Sequence, residues 1–338
     1  MVLLHNKTKM KILLAEIRHL DTQAGVMGGD KAINDQIFSI LNDSGHKIVR
    51  KSYPSFDFWK FIRRYTLGQF NTFDKEFDLV ICDSNIAYYF NHPNAINIFH
   101  YSYFGYKKLA GKYFFNLLDN IIFSLYSVLQ YLGSKGKYNV AVSMFMKKVL
   151  LEQGIKVNEV VNNCLDTDVF KPIFVIKSDI DLVYVGGYSY FGKGFDVLED
   201  IASRGYHIDC YTNFNKEYKN MKYHKMVPRI EIPKTLCKYK ILLYPSRFES
   251  FGMVPLEAMA CGIPVIVGNI GIGCDIINDI PEFVVNSKED NRVSSYIEKI
   301  NLIQNNYKYY SDVAREYAKK NYRLDKYELT WNNLVERI

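Results

Sequence analysis

The chain has 338 residues, of which 48% are hydrophobic and 23% charged. That length accommodates two ordinary domains, and that composition excludes a disordered polymer. The net charge is +7, with +5 of it on residues 1–170; this is either plain solubility charge or the mark of an anionic partner.

Residues 1–9 read as an extension before the first strand. The apolar run Met1–Leu4 is too short for a leader, and Lys7 and Lys9 follow it, so no signal peptide is expected. Lys11 to Ile17 predicts a buried parallel strand. A loop with Gly25, Gly28 and Gly29 leads into a helix over Asp30 to Leu41, and Lys47 to Lys51 starts the next strand. This is a βαβ unit with a glycine loop over a helix N-terminus, a crevice of the kind that takes nucleotides. Asp78 to Cys82, Ala95 to His100 and Tyr138 to Ser143 predict further strands, and Met144 to Gln153 a helix. The α/β alternation then restarts. Asp181 to Gly186, Tyr206 to Tyr211, Tyr223 to Val227, Lys240 to Tyr244, Pro264 to Val267 and Phe283 to Val285 read as strands with helices between. Lys326 to Ile338 is amphipathic. Six cysteines without metal-like spacing read as small reduced core residues, as in a cytoplasmic protein.

The chemistry concentrates between Pro245 and Ile266. Pro255 suits a first helical turn and Gly262 a helix end. The N–H groups of about Phe251 to Leu256 therefore lack intrahelical partners and face the loop mouth. Ser250, Phe251, Gly252, Met253 and Val254 are expected to line that mouth, with Gly252 allowing close approach of a ligand to the backbone. Glu249 precedes the helix and Glu257 lies in its first turn, so both can face one crevice. Each could equally be ordinary, Glu257 as a carboxylate favoured by the helix dipole and Glu249 as a solvated loop residue. Taken together, two carboxylates beside a phosphate-binding helix tip suit a ligand with phosphate and vicinal hydroxyls, which is a sugar nucleotide. Lys193-Gly194 at another helix start is either a solvated lysine or a charge aimed at phosphate. His100 closes a strand at the carboxyl end of a parallel sheet, where a neutral imidazole could meet a ligand or simply rest in the core. Asp166/Asp168 and Asp179/Asp181 form Asp-x-Asp triplets away from any phosphate crevice, so no metal is expected.

Glu249-Ser-Phe-Gly-Met-Val-Pro-Leu-Glu257-Ala-Met-Ala-Cys-Gly-Ile-Pro-Val resembles the signature of the family-four retaining glycosyltransferases. It departs only by Ile263 before Pro264. Val160 to Pro172 resembles the family's interdomain signature, with Cys164 where Gly is common, and the likeness runs along about 320 residues. The resemblance implies the GT-B fold, an α/β pair of doubly wound Rossmann-like domains facing across a cleft. Residues 1–170 would hold the acceptor, 171–322 the nucleotide-sugar donor, and the helix 323–338 would return to the first domain. It implies that His100 and the Gly28–Gly29 loop cover the donor sugar, Glu249 orients its hydroxyls, Glu257 the ribose, and Lys193 the diphosphate. Gly187 stands where the family's phosphate-gripping Arg is usual; Arg247 and Arg229 are cations that could replace it. The implied reaction is metal-independent sugar transfer with no cofactor. Attack comes on the face the diphosphate leaves, with a phosphate oxygen taking the acceptor proton. The Gly187 departure keeps open a nucleotide-sugar-binding pseudo-enzyme or partner subunit. A glycosidase would also use two carboxylates but needs no phosphate cradle.

Phe58 to Tyr65 and Tyr101 to Lys108 mix aromatics with cations, and Tyr113 to Leu132 is strongly apolar. Polar residues interrupt the last stretch, so a membrane span is not expected. A core helix with ordinary neighbours and an interfacial patch on an anionic membrane surface are both open readings. No nucleic-acid recognition motif is present, so nucleic acid is not expected as a partner.

Overall fold

The computed structural model describes residues 9–17, 29–53, 75–109, 117–176, 178–187, 189–214, 217–286 and 292–338. The first half forms strands β1 (Lys11–Ile17), β2 (Lys47–Tyr53), β3 (Leu79–Asp83), β4 (Ala95–Phe99), β5 (Tyr138–Ala141) and β6 (Glu159–Val160). They make one six-stranded sheet in the order β2-β1-β3-β4-β5-β6, parallel throughout. The second half forms β7 (Leu182–Val185), β8 (Ile208–Tyr211), β9 (Met221–His224), β10 (Ile241–Tyr244), β11 (Val265–Gly268) and β12 (Val284–Val285). Their order, β12-β11-β10-β7-β8-β9, is again parallel and is the doubly wound dinucleotide-binding order.

These strands form where the sequence runs apolar for four or five residues, because a parallel sheet covered by helices is buried on both faces. Every residue of β3, β4, β7, β10 and β11 is buried. The reading of Tyr223 to Val227 as a strand is corrected to Met221–His224. The ladder fixes this: β8 pairs Ile208 with Met221 and ends by pairing Tyr211 with His224, so nothing remains for residues 225–227 to pair with.

The chain crosses between lobes twice, and the crossings lie together. Leu165 N–H donates to Tyr322 O at 3.1 Å, and Leu165 bridges Arg323 in parallel. After the second crossing, the helix Leu324–Glu336 lies on the first lobe's helix Gly29–Asp43. Trp331 is buried there, and Ser44 Oγ donates to Asn332 Oδ1 at 2.8 Å. Arg337 adds an ion pair with Glu159 at 2.8 Å.

Candidate active site

In a doubly wound sheet the crevice opens where strand order reverses, outside the carboxyl ends of the strands. In the second lobe that point lies between β7 and β10. The loop after β7 carries Lys193, and the loop after β10 carries Phe248 and Glu249. Two glycines let these loops meet. Gly194 has φ +74°, and a Cβ there would lie 2.2 Å from Pro245 O. Gly271 has φ +51°, and a Cβ there would lie 2.4 Å from Phe251 O. The helix Met253–Ala260 starts after left-handed Gly252. It ends in a Schellman motif, with Gly262 N–H donating to Met259 O and Ile263 N–H to Ala258 O, both at 2.9 Å.

The crevice opens into a cleft of about 510 Å³ between the lobes. From the second lobe it is lined by Lys193, Tyr244, Phe248, Glu249 and the loop Ser250–Val254. From the first it is lined by Asp30, Asp83, His100 and the tyrosines 101, 103 and 106. Lys193 Nζ pairs directly with Glu249 Oε1 and lies 5.5 Å from the centre of the Tyr244 ring. Burial disfavours the Lys193 charge, but Glu249 outweighs it and holds the amine above its ordinary pKa, so it is a cation at pH 7. His100 Nε2 lies 3.3 Å from Asn34 Oδ1. Burial pushes the imidazole down to about 4 against the pull of Asp30, so the ring is neutral.

The lobes touch at this site. Ser143 Oγ donates to Ser250 O at 2.5 Å, and Met144 N–H donates to Asp275 Oδ1 at 3.3 Å. Phe248 enters the first lobe, its ring 5.6 Å from those of Tyr101 and Tyr106 and 5.9 Å from Phe145. Gly105 makes room, since a Cβ there would lie 2.8 Å from the Phe248 ring.

Residues 205–321 match the family model described as glycosyl transferases group 1. Over that stretch, about a third of its length, the chain is similar to the group 1 glycosyltransferases. A relative in Klebsiella pneumoniae, an uncharacterized 41.2 kDa protein in the cps region, is 28% identical over 208 residues. That match covers 54% of this chain and 57% of the relative, so the chain spans little more than half the length of that relative. Among solved structures, sucrose-phosphate synthase from Thermosynechococcus elongatus superposes with a TM-score of 0.76 at 14% identity, over 97% of this chain and 99% of that one. HepE of Anabaena, solved in complex with UDP-glucose, superposes with a TM-score of 0.66 at 14% identity, over 97% and 100% of the two chains. At such identities the likeness shows the fold, which is GT-B.

The residues singled out in the sequence are placed unevenly. Lys193, Glu249, His100 and the loop Ser250–Val254 share the cleft. Gly28 lies outside the described residues; Gly29 starts the helix that carries Asp30. Gly187 is exposed, is not part of the cleft lining, and accepts the Tyr184 hydroxyl on its carbonyl at 2.9 Å. Glu257 is also outside the lining. It is 3% exposed and accepts Arg229 Nε at 3.1 Å. Burial pushes its carboxyl up to about 7 against the pull of Arg229. Of the two cations that could replace the missing Arg, Arg247 is held by both carboxylate oxygens of Asp196 and by Phe191 O. Arg229 is bound to Glu257 and lies over the Phe170 ring at 5.6 Å.

The Asp-x-Asp triplets have structural partners. Asp166 Oδ1 accepts the backbone N–H of Asp168 at 2.8 Å, and Asp181 pairs with Lys240 at 3.0 Å. Among the described residues no group of three or more His, Cys, Asp or Glu side chains is arranged to hold a metal ion. Sequence reasoning missed Asp83, Tyr244 and Phe248. Asp83 and Tyr244 each end a strand at its carboxyl edge, the one local signal that could have found them.

Proposed function

We propose that the chain is a retaining glycosyltransferase, moving a hexose from a nucleotide-sugar donor to a hydroxyl of a glycan or lipid-linked acceptor without a metal. The observation that carries this is the convergence at one switch point of Lys193, Glu249 and the N-terminus of the helix Met253–Ala260, facing His100 across the cleft. The donor diphosphate would take the Lys193 ammonium and the N–H groups near Phe251 to Val254. Glu249, released from Lys193 by that diphosphate, would accept sugar hydroxyls. His100 is neutral and so suited to meet a sugar rather than an anion. The solved complex of HepE with UDP-glucose supports a nucleoside diphosphate sugar as the donor class. Glu257 and Arg229 would face the ribose end as a pair, and Gly187 would serve through its backbone.

Glu249→Ala is expected to lower turnover about a hundredfold, as for loss of a positioned hydrogen-bonding group in the transition state. The assay is nucleotide release across a panel of nucleotide sugars. Unchanged turnover in the variant would remove the site assignment. Donor binding without turnover in the wild type would favour the pseudo-enzyme reading that Gly187 motivates.

The acceptor lobe suggests a lipid-linked acceptor at the cytoplasmic face of an anionic membrane. Of the two segments that mix aromatics with cations, 58–65 lies outside the described residues. Segment 101–108 turns Tyr101, Tyr103 and Tyr106 into the cleft, ties Lys107 Nζ to Ser124 Oγ at 2.6 Å and pairs Lys108 with Glu152 at 2.9 Å. The next helix, Leu117–Ser134, carries the exposed stripe instead. Leu117, Leu118, Ile121, Ile122, Leu125 and Val128 are 38–79% exposed, and Lys135 and Lys137 follow the helix. An anionic bilayer complements both, acyl boundary for the stripe and headgroups for the lysines. No described helix is long and apolar enough to cross a membrane. The chain is expected to co-sediment with phosphatidylglycerol vesicles at low and moderate salt, and Ile121→Glu with Leu125→Glu to abolish this. Wild-type protein that stays in the supernatant at both salts retires the membrane surface.

A further inference from the structure

Asp83 is a charged side chain that the chemistry above leaves unused. It ends β3 at the carboxyl edge of the first sheet and is 4% exposed, yet it lines the cleft. Its Oδ1 accepts the Asn85 N–H at 3.0 Å, as in an Asx turn. Its Oδ2 takes no hydrogen bond from any described residue and is not among the sealed polar atoms. A carboxylate so withdrawn from water gains most when a donor reaches it.

The surroundings are built to hold that oxygen still. Gln130 is 1% exposed, and its amide joins the loops after β3 and β4. Its Nε2 donates to Ser84 Oγ at 3.1 Å, Asn85 Oδ1 at 2.8 Å and Tyr101 O at 2.9 Å, while its Oε1 accepts the Tyr103 N–H at 3.1 Å. Tyr103 stacks on Tyr126 at 4.6 Å and meets Tyr101 at 5.1 Å. The first lobe's wall therefore offers aromatic rings beside one carboxylate oxygen. Among the described residues it brings no cation to the cleft, whose one cation, Lys193, comes from the second lobe. Such a wall suits a neutral sugar ring, with C–H groups against tyrosine and a hydroxyl on the carboxylate, and does not suit an anionic group.

We propose that Asp83 is the acceptor-binding carboxylate, its Oδ2 taking a hydrogen bond from a hydroxyl of a neutral hexose ring laid against Tyr101 and Tyr103. This rests on the transferase reading for the reaction but not for the binding. The groups that face Asp83 are Asp30, Glu16, Tyr103 and His100 on its own lobe and the Lys193–Glu249 pair across the cleft. Burial raises the Asp83 carboxyl to about 7, the Asn85 N–H opposing and Asp30 and Glu16 adding to the rise. Its ionised form, the better acceptor, therefore accumulates as pH rises through about 7, and hexose binding strengthens in the same direction.

The test is saturation-transfer NMR of the full chain with methyl hexosides, alongside steady-state turnover with the same glycosides as acceptors. Asp83→Asn keeps the turn to Asn85 and removes the charge. It is expected to weaken hexoside binding about tenfold or more, to flatten the rise near neutral pH, and to leave the donor's thermal shift unchanged. Tyr103→Leu, which spares the carboxylate, is expected to weaken binding as well. Wild-type binding and pH profile in Asp83→Asn overturn the proposal and leave Asp83 as a turn-forming residue. Hexoside binding lost in Asp83→Asn, in a chain that turns over no nucleotide sugar, supports the subsite and overturns the transferase reading instead.

Discussion

Replacing Lys193 by Met is expected to lower turnover about 10²- to 10³-fold, near 3–4 kcal/mol of lost transition-state stabilisation. The ammonium sits at the switch point of the second lobe, fixed by Gly194 and the Tyr244 ring, and no other cation lines the described cleft. Arg247 and Arg229 do not compensate, because each already has a carboxylate partner. The variant should also show a smaller thermal shift with nucleoside diphosphate. Its fold should survive, since the groups that lose Lys193, the Glu249 carboxylate and the Tyr244 hydroxyl, both line the cleft. Near-normal kcat in Lys193→Met would move the leaving-group charge onto the helix N-terminus alone.

The second large effect is expected from Phe248→Ala. A Phe-to-Ala change in a packed core costs about 3–5 kcal/mol. Here the packing lies between lobes, so the loss should appear as opening rather than unfolding. Removing about 3 kcal/mol from a closed state shifts the closed-to-open ratio about a hundredfold. Phe248 also adjoins Glu249, so withdrawal of the ring moves the carboxylate away from His100. Small-angle scattering should show a larger radius of gyration, and kcat/KM should fall with little change in melting temperature. Wild-type scattering together with wild-type turnover would show that Phe248 does not hold the lobes.

Much of the architecture was legible because both sheets are parallel and doubly covered, so their strands are uninterrupted apolar runs such as Ile241–Tyr244 and Val265–Gly268. Where local sequence and ladder disagreed, at Met221–His224, the partner strand decided the ends. That Lys193, Glu249 and Gly252 share one crevice was legible because they lie in short loops whose turn chemistry is local. The first lobe's wall of the cleft was not. Gln130 reaches the loops that flank Asp83 and Tyr103 from 46 and 27 residues away, and no periodicity records such a contact. Glu257 and Arg229 look like independent charges in sequence; folding seals one against the other. The helix Leu117–Ser134 buries Gln130 on one side and exposes Ile121 on the other, a split that the long apolar run does not announce.

The paired crossings of the chain have a mechanical consequence. With Leu165 strapped alongside Tyr322 and Arg323, and Arg315 bonded to Thr167 O and Phe170 O, the lobes are joined by two adjacent segments rather than one. A single tether would permit swivelling in any direction; two side by side resist torsion and leave a bend about one line. Opening would then separate Lys193 and Glu249 from His100 along a fixed arc, and each return would restore the same alignment of the two facing walls.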